Sequence, residues 1–131
     1  MQLNWIALAA HAPEISLLQI SDRIDLGQFF TPWRVTSDGT YAEGTNPNAK
    51  PLKVDTEQFP EIVETKLASF QSVDENLTLP CYALGNNSYL ILDANHRAVN
   101  LYRAENPINV TAWVINGPID SYILPDLRFW E

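Results

Sequence analysis

The run Asp93-Ala94-Asn95-His96-Arg97 gathers a carboxylate, an amide, an imidazole and a guanidinium within one short stretch. It stands between an apolar run that ends at Leu92 and a helix-like pattern that begins around Ala98. Asp93 or Asn95 can cap that helix by accepting a bond from a free backbone N–H. His96 and Arg97 then fall in the first turn, at the positive end of the helix macrodipole, where a cation is disfavoured by roughly 0.3–1 kcal/mol. That placement makes sense if an anion is bound. Free N–H groups, a guanidinium and an imidazole would converge on one phosphate or carboxylate. The same residues also fit an ordinary capped helix whose Arg97 pairs with Asp93 or a neighbouring acid.

Elements on both sides must position this cluster. Leu77–Leu84 and Ser88–Leu92 form a hairpin-like pair across Gly85-Asn86-Asn87, and Pro80 places its strand at an edge or at a bulge. The motif helix is expected to stop at Asn106-Pro107, because Asn tolerates a left-handed C-cap and Pro cannot continue the ladder. Asn109–Ile115 then reads as a strand with period-two alternation.

The cluster resembles the Asp-Gly-x-His-Arg segment of the ParB/sulfiredoxin-like superfamily, in which a strand runs into a helix whose start handles a nucleotide phosphate. The resemblance covers residues 77–115, with Glu14–Ile20 similar to the first strand of these domains. It implies a single ParB/sulfiredoxin-like domain over 1–131, α+β in class, with a mixed sheet and helices. Departures narrow what it implies. Sulfiredoxins place a catalytic cysteine immediately before the His-Arg pair, and this chain has Asn95 there, so their chemistry is not expected. Chromosome-partitioning ParB proteins carry an Arg-Arg pair, whereas here His96 precedes Arg97, and the chain has no room for their helix-turn-helix domain. Ala94 replaces the common Gly, where a positive φ would be less comfortable. Small free-standing members remain the nearest analogues, among them kinases of small metabolites and ParB-like nucleases.

Composition sets the outer limits. A chain of 131 residues, 46% of them hydrophobic, fits one globular domain with a real core. No apolar run approaches the ~20 residues needed to cross a bilayer, so no membrane is expected. The apolar start, residues 1–13, lacks a basic leader and reads as part of the fold. One cysteine, Cys81, inside an apolar strand, reads as a small buried hydrophobe and fits a cytoplasmic protein. The net charge of −8 repels nucleic acid, and the eight Lys and Arg form no stripe. A small phosphorylated ligand held by one local site is compatible with that acidic surface.

Elsewhere the pattern is mixed. Residues 3–10 suggest a short helix, and Trp33–Thr36 with Thr40–Ala42 flank an Asp38-Gly39 turn as a hairpin. Residues 43–56 are polar, carry two prolines and read as a long loop of the kind that can cover a site. Residues 57–70 look helical, with Pro60 in the first turn. The tail from Gly117 has no clear period, and Phe129 and Trp130 are expected to pack on the core.

Other chemistry is absent from the sequence. It has no Cys-x-x-Cys pair, no phosphate-binding glycine loop and no His-Glu-x-x-His, and His11 in the apolar start is assigned to structure. The first functional reading is therefore a nucleotide- or phosphate-binding domain, in its catalytic form a phosphotransferase using ATP or another nucleotide with Mg²⁺. Asn95, His96 and Arg97 would bind phosphate, with His96 donating to a phosphate oxygen. Asp93 would serve as general base or Mg²⁺ ligand. A second acid could come from Glu14, Asp22 or Asp25. Two alternatives stand beside it: a non-catalytic member of the same fold that binds a protein partner, and a ParB-like nuclease.

Overall fold

Strand propensity alternating with short helical stretches produces one mixed sheet with helices on both faces. In this computed structural model the described residues are 3–42, 48–69 and 76–131. The elements run α1 (Trp5–Ala9), β1 (Glu14–Ile20), α2 (Arg23–Gly27), β2 (Phe30–Val35), β3 (Tyr41–Ala42), β4 (Lys50–Lys53), α3 (Glu61–Ser69), β5 (Asn76–Gly85), β6 (Ser88–Ile91), α4 (Asn95–Arg103) and β7 (Asn109–Asn116), and a 3-10 helix closes the chain at Pro125–Trp130. The sheet order is β1-β7-β5-β6-β2-β3, with β4 also on β2. β1 with β7 and β5 with β6 are antiparallel, while β5 with β7 and β6 with β2 are parallel. The fold class is α+β, as expected.

Alternation along the strands sorts side chains into two cores. Leu77, Leu79 and Cys81 of β5 join Val110, Ala112 and Val114 of β7 beneath Leu26 of α2, Val63 and Leu67 of α3, and Val99 and Leu101 of α4. On the other face Tyr82, Leu90 and Ile115 pack with Leu8 of α1 and with Ile123, Leu124 and Leu127 near the C-terminus. Trp130 packs against this second core, edge-on to Phe30. Burial pushes the Cys81 thiol up to about 12, so it behaves as the expected hydrophobe. Among the described residues no helix is long and apolar enough to cross a membrane.

Several boundaries differ from the sequence expectation, each for a local reason. Residues 43–47 of the expected loop and Phe70 of the expected helix lie outside the described residues. Lys50–Lys53, within that loop, is a strand on β2, and the Thr31 hydroxyl donates to the Leu52 carbonyl at 2.7 Å. The third helix starts only at Glu61. Phe59 N–H donates to the Glu64 carboxylate, and the Pro60 carbonyl accepts the first helical bonds from Val63 and Glu64.

Pro80 is central rather than at an edge, since β5 lies between β7 and β6, and the strand carries a register shift against β6 between Ala83 and Gly85. Its carbonyl accepts from Leu92 N–H on the β6 side. A strand residue's N–H and C=O point the same way, so the missing N–H falls just beyond Ile91, the last residue of β6, where the ladder needs no donor. Asn86 and Asn87 both take positive φ, 53° and 59°, which suits a tight hairpin turn.

Candidate functional site

β6 delivers the chain to the site. After Ile91 the turn Leu92-Asp93-Ala94 is pinned by the Leu92 N–H bond to Pro80 at 2.9 Å. Ala94 then adopts φ 68° and ψ 29°, a left-handed conformation, and its carbonyl accepts from Ala98 N–H at 3.0 Å. The helix therefore begins at Asn95, ahead of the apolar pattern that starts around Ala98. Neither Asp93 nor Asn95 caps it. Asp93 Oδ1 accepts from the adjacent Ala94 N–H at 2.8 Å, Asn95 is already inside the helix, and no side chain caps α4 at all. Its first-turn N–H groups are left for solvent or a ligand.

The expected site residues come together. Asp93, Asn95, His96 and Arg97 line one cavity of about 350 Å³, with Pro32 and Trp33 of β2 as the opposite wall. Trp33 sits edge-on to His96, ring centroids 4.9 Å apart, and edge-on to Phe59 at 5.3 Å. Burial, with the Lys66 ammonium as a second cause, holds the His96 imidazole below its ordinary pKa and so keeps it neutral near pH 7. Its Nε2 is closed off from solvent.

Among the described residues, two groups at the turn lack partners. Asn95 Oδ1 is buried and has no hydrogen bond, which costs a polar group about 1–3 kcal/mol unless a donor reaches it. Arg97 is exposed and makes no ion pair with any described residue, so the pairing with Asp93 does not form. The ion pairs among the described residues are Arg23 with Glu105, Arg34 with Asp126 and Arg103 with Glu64.

Among the described residues no second acid lines the cavity. Glu14 begins β1, three strands away from β6 across the sheet. Asp22 caps α2 by accepting from Ile24 N–H, and Asp25 lies in that same helix. α2 meets α4 at its far end, where Arg23 Nε donates to the Tyr102 carbonyl at 2.6 Å. Among the described residues no group of three or more His, Cys, Asp or Glu could hold a metal ion. Asp93, whose Oδ2 bonds no described residue, could ligate a Mg²⁺ that arrives bridged by ligand phosphates.

Sequence reasoning missed Trp33 and Pro32. They are some 60 positions upstream of the motif, and only the parallel pairing of Phe30 with Leu90 brings β2 beside it. A lone Trp in a hairpin strand carries no signal of that neighbour. No family model, curated protein or solved structure matches this chain.

Proposed function

We propose that this protein binds a small phosphorylated ligand, a nucleotide or a phosphorylated metabolite, in the cavity between the start of α4 and Trp33. What carries the reading is an uncapped helix start beside an unpaired Arg97, in a cavity of about 350 Å³. The phosphate sits at the first-turn N–H groups with Arg97 as its counter-charge, and Trp33 provides an apolar wall for a base or sugar ring. The ParB/sulfiredoxin-like resemblance of the Asp93–Arg97 turn is part of this reading, and so is a cytoplasmic location.

In the catalytic form of the proposal, Asp93 accepts a proton from the attacking hydroxyl or holds the nucleotide's Mg²⁺, and neutral His96 donates to a phosphate oxygen. Asp93 is the one carboxylate among the described lining residues, which favours a second reading, in which the site binds its ligand without turnover. A nuclease acting on duplex nucleic acid is favoured least, because the chain carries a net charge of −8.

A thermal-shift series with nucleoside mono-, di- and triphosphates and inorganic phosphate, with and without Mg²⁺, tests the site. A ligand at 100 times its Kd adds about 2.7 kcal/mol, a rise in melting temperature on the order of 10 °C for a domain of this size. The rise should disappear in Arg97→Ala. A variant that binds the same compounds as well as the natural chain would overturn the proposal.

A further inference from the structure

β1 forms one edge of the sheet. Among the described residues it pairs only with β7, in an unbroken register from Glu14↔Asn116 to Ile20↔Val110. Its outer row of N–H and C=O groups is therefore open to another strand. Edge strands of monomers are blunted by a lysine, a proline, a bulge or shortness. β1 has seven residues, no bulge against β7, and only uncharged, non-proline residues after Glu14.

The side chains point the same way. On the sheet face away from α2, α3 and α4, Ile15 is 57% exposed and Leu17 60%, and Trp113, directly opposite Leu17 on β7, is 47% exposed. In a chain of net charge −8, β1 and β7 together carry a single charged residue, Glu14. A second acidic molecule approaching these two strands meets only the Glu14 carboxylate on them.

We propose that β1 pairs antiparallel with β1 of a second copy of this chain, about a twofold axis at Leu17, joining the two sheets into one. Leu17 is the midpoint of the strand, so this register engages all seven residues. Ile15 of each copy then faces Gln19 of the other, Ser16 faces Leu18, and the two Glu14 carboxylates lie at opposite ends. An antiparallel twofold uses the same surface twice and closes, whereas a head-to-tail contact would leave a new edge to recruit further copies. The apolar strip of Ile15, Leu17 and Trp113 becomes continuous across the axis, and the open ladder is satisfied.

Sedimentation velocity on the full chain over a concentration series reads the outcome. The natural chain should pass from 14.8 kDa to twice that mass with a micromolar Kd. Leu17→Lys places two ammonium groups against each other at the axis and should weaken the dimer about 100-fold or more. Ile62→Lys, at an exposed position of α3, should leave it intact. Should Leu17→Lys fail to fold by circular dichroism, Leu17→Cys decides. Directly opposed antiparallel residues have Cα atoms about 4.5–5.5 Å apart, within disulfide reach. Treated with diamide, which takes up the two thiol hydrogens, Leu17→Cys should give a disulfide-linked dimer while Ile62→Cys stays monomeric. Cys81, the natural cysteine, is buried and does not compete. A monomer at every concentration up to about 100 μM overturns the proposal. So does a dimer that neither Leu17 variant affects or traps.

Discussion

Ala94 holds its backbone at φ 68°, in the region where a Cβ crowds the following carbonyl at a cost of roughly 1–2 kcal/mol. The conformation persists because both sides are anchored: Leu92 to Pro80 upstream, and the first turn of α4 downstream. Ala94→Gly removes the crowding and gives back part of the gain as entropy of the unfolded chain. The net expectation is about 0.5–1 kcal/mol of added stability, read as a higher denaturant midpoint with an unchanged slope. A lower midpoint would show that the Ala94 methyl, which packs against the core, outweighs the strain. Much of the site was legible at this scale. Residue types alone singled out Asp93, Asn95, His96 and Arg97, and a positive φ at Ala94 was the expected liability. What the string could not show is orientation: Asn95 reads as a cap, but the left-handed Ala94 starts the helix one residue earlier and leaves that amide oxygen buried and unpaired.

The elements that hold the site were readable where periodicity was clean. β1, β7 and the β5–β6 hairpin follow alternation and turn chemistry, and they emerge within a residue or two of expectation. β4 is different. Lys-Pro-Leu-Lys has no alternation to notice, and it becomes a strand only because β2 offers an edge beside it. The central position of Pro80 depends likewise on where β6 stops, which is a property of two segments together. Close approach between elements is equally invisible in sequence, and Gly117 is the sharpest case. A Cβ there would lie 2.5 Å from the Tyr82 hydroxyl and 2.9 Å from Leu8 Cδ1, both side chains fully buried. That hydroxyl also donates to the Pro118 carbonyl at 2.8 Å. Gly117→Ala should therefore destabilise the fold by about 1–3 kcal/mol through overpacking of β5, β7 and α1. Combining it with Tyr82→Phe should recover part of that loss, a coupling that a double-mutant cycle measures directly. Strict additivity of the two changes would mean that the hydroxyl is not the obstacle.

For the whole molecule, pH separates local from global electrostatics. The chain is strongly acidic, with a sequence pI near 4.6, so lowering the pH from 7 relieves net self-repulsion and on that ground alone should stabilise the fold. Two local groups oppose this. Burial, and then Lys66, hold the folded His96 below its ordinary 6.5. Between that value and its lower folded one, the unfolded chain binds the proton and the folded chain does not, so stability falls as the pH drops through this window. Glu64, held below its ordinary 4.5 mainly by the hydrogen bond from Arg103, stabilises the fold above that value and loses its contribution only as the pH falls below it. Any loss attributable to His96 therefore appears first, on the slightly acidic side of neutrality. Between pH 7.5 and 5.5 the melting temperature of the natural chain should fall relative to that of His96→Gln. Parallel curves for the two proteins would remove His96 from the account. The same window also bears on the proposed ligand. A phosphate held beside Arg97 and the start of α4 would favour the imidazolium, raise the folded pKa of His96 and shrink the acid loss. A bound nucleotide should thus protect the protein more at pH 6 than at pH 7.5, by an increment that His96→Gln abolishes while binding through Arg97 continues.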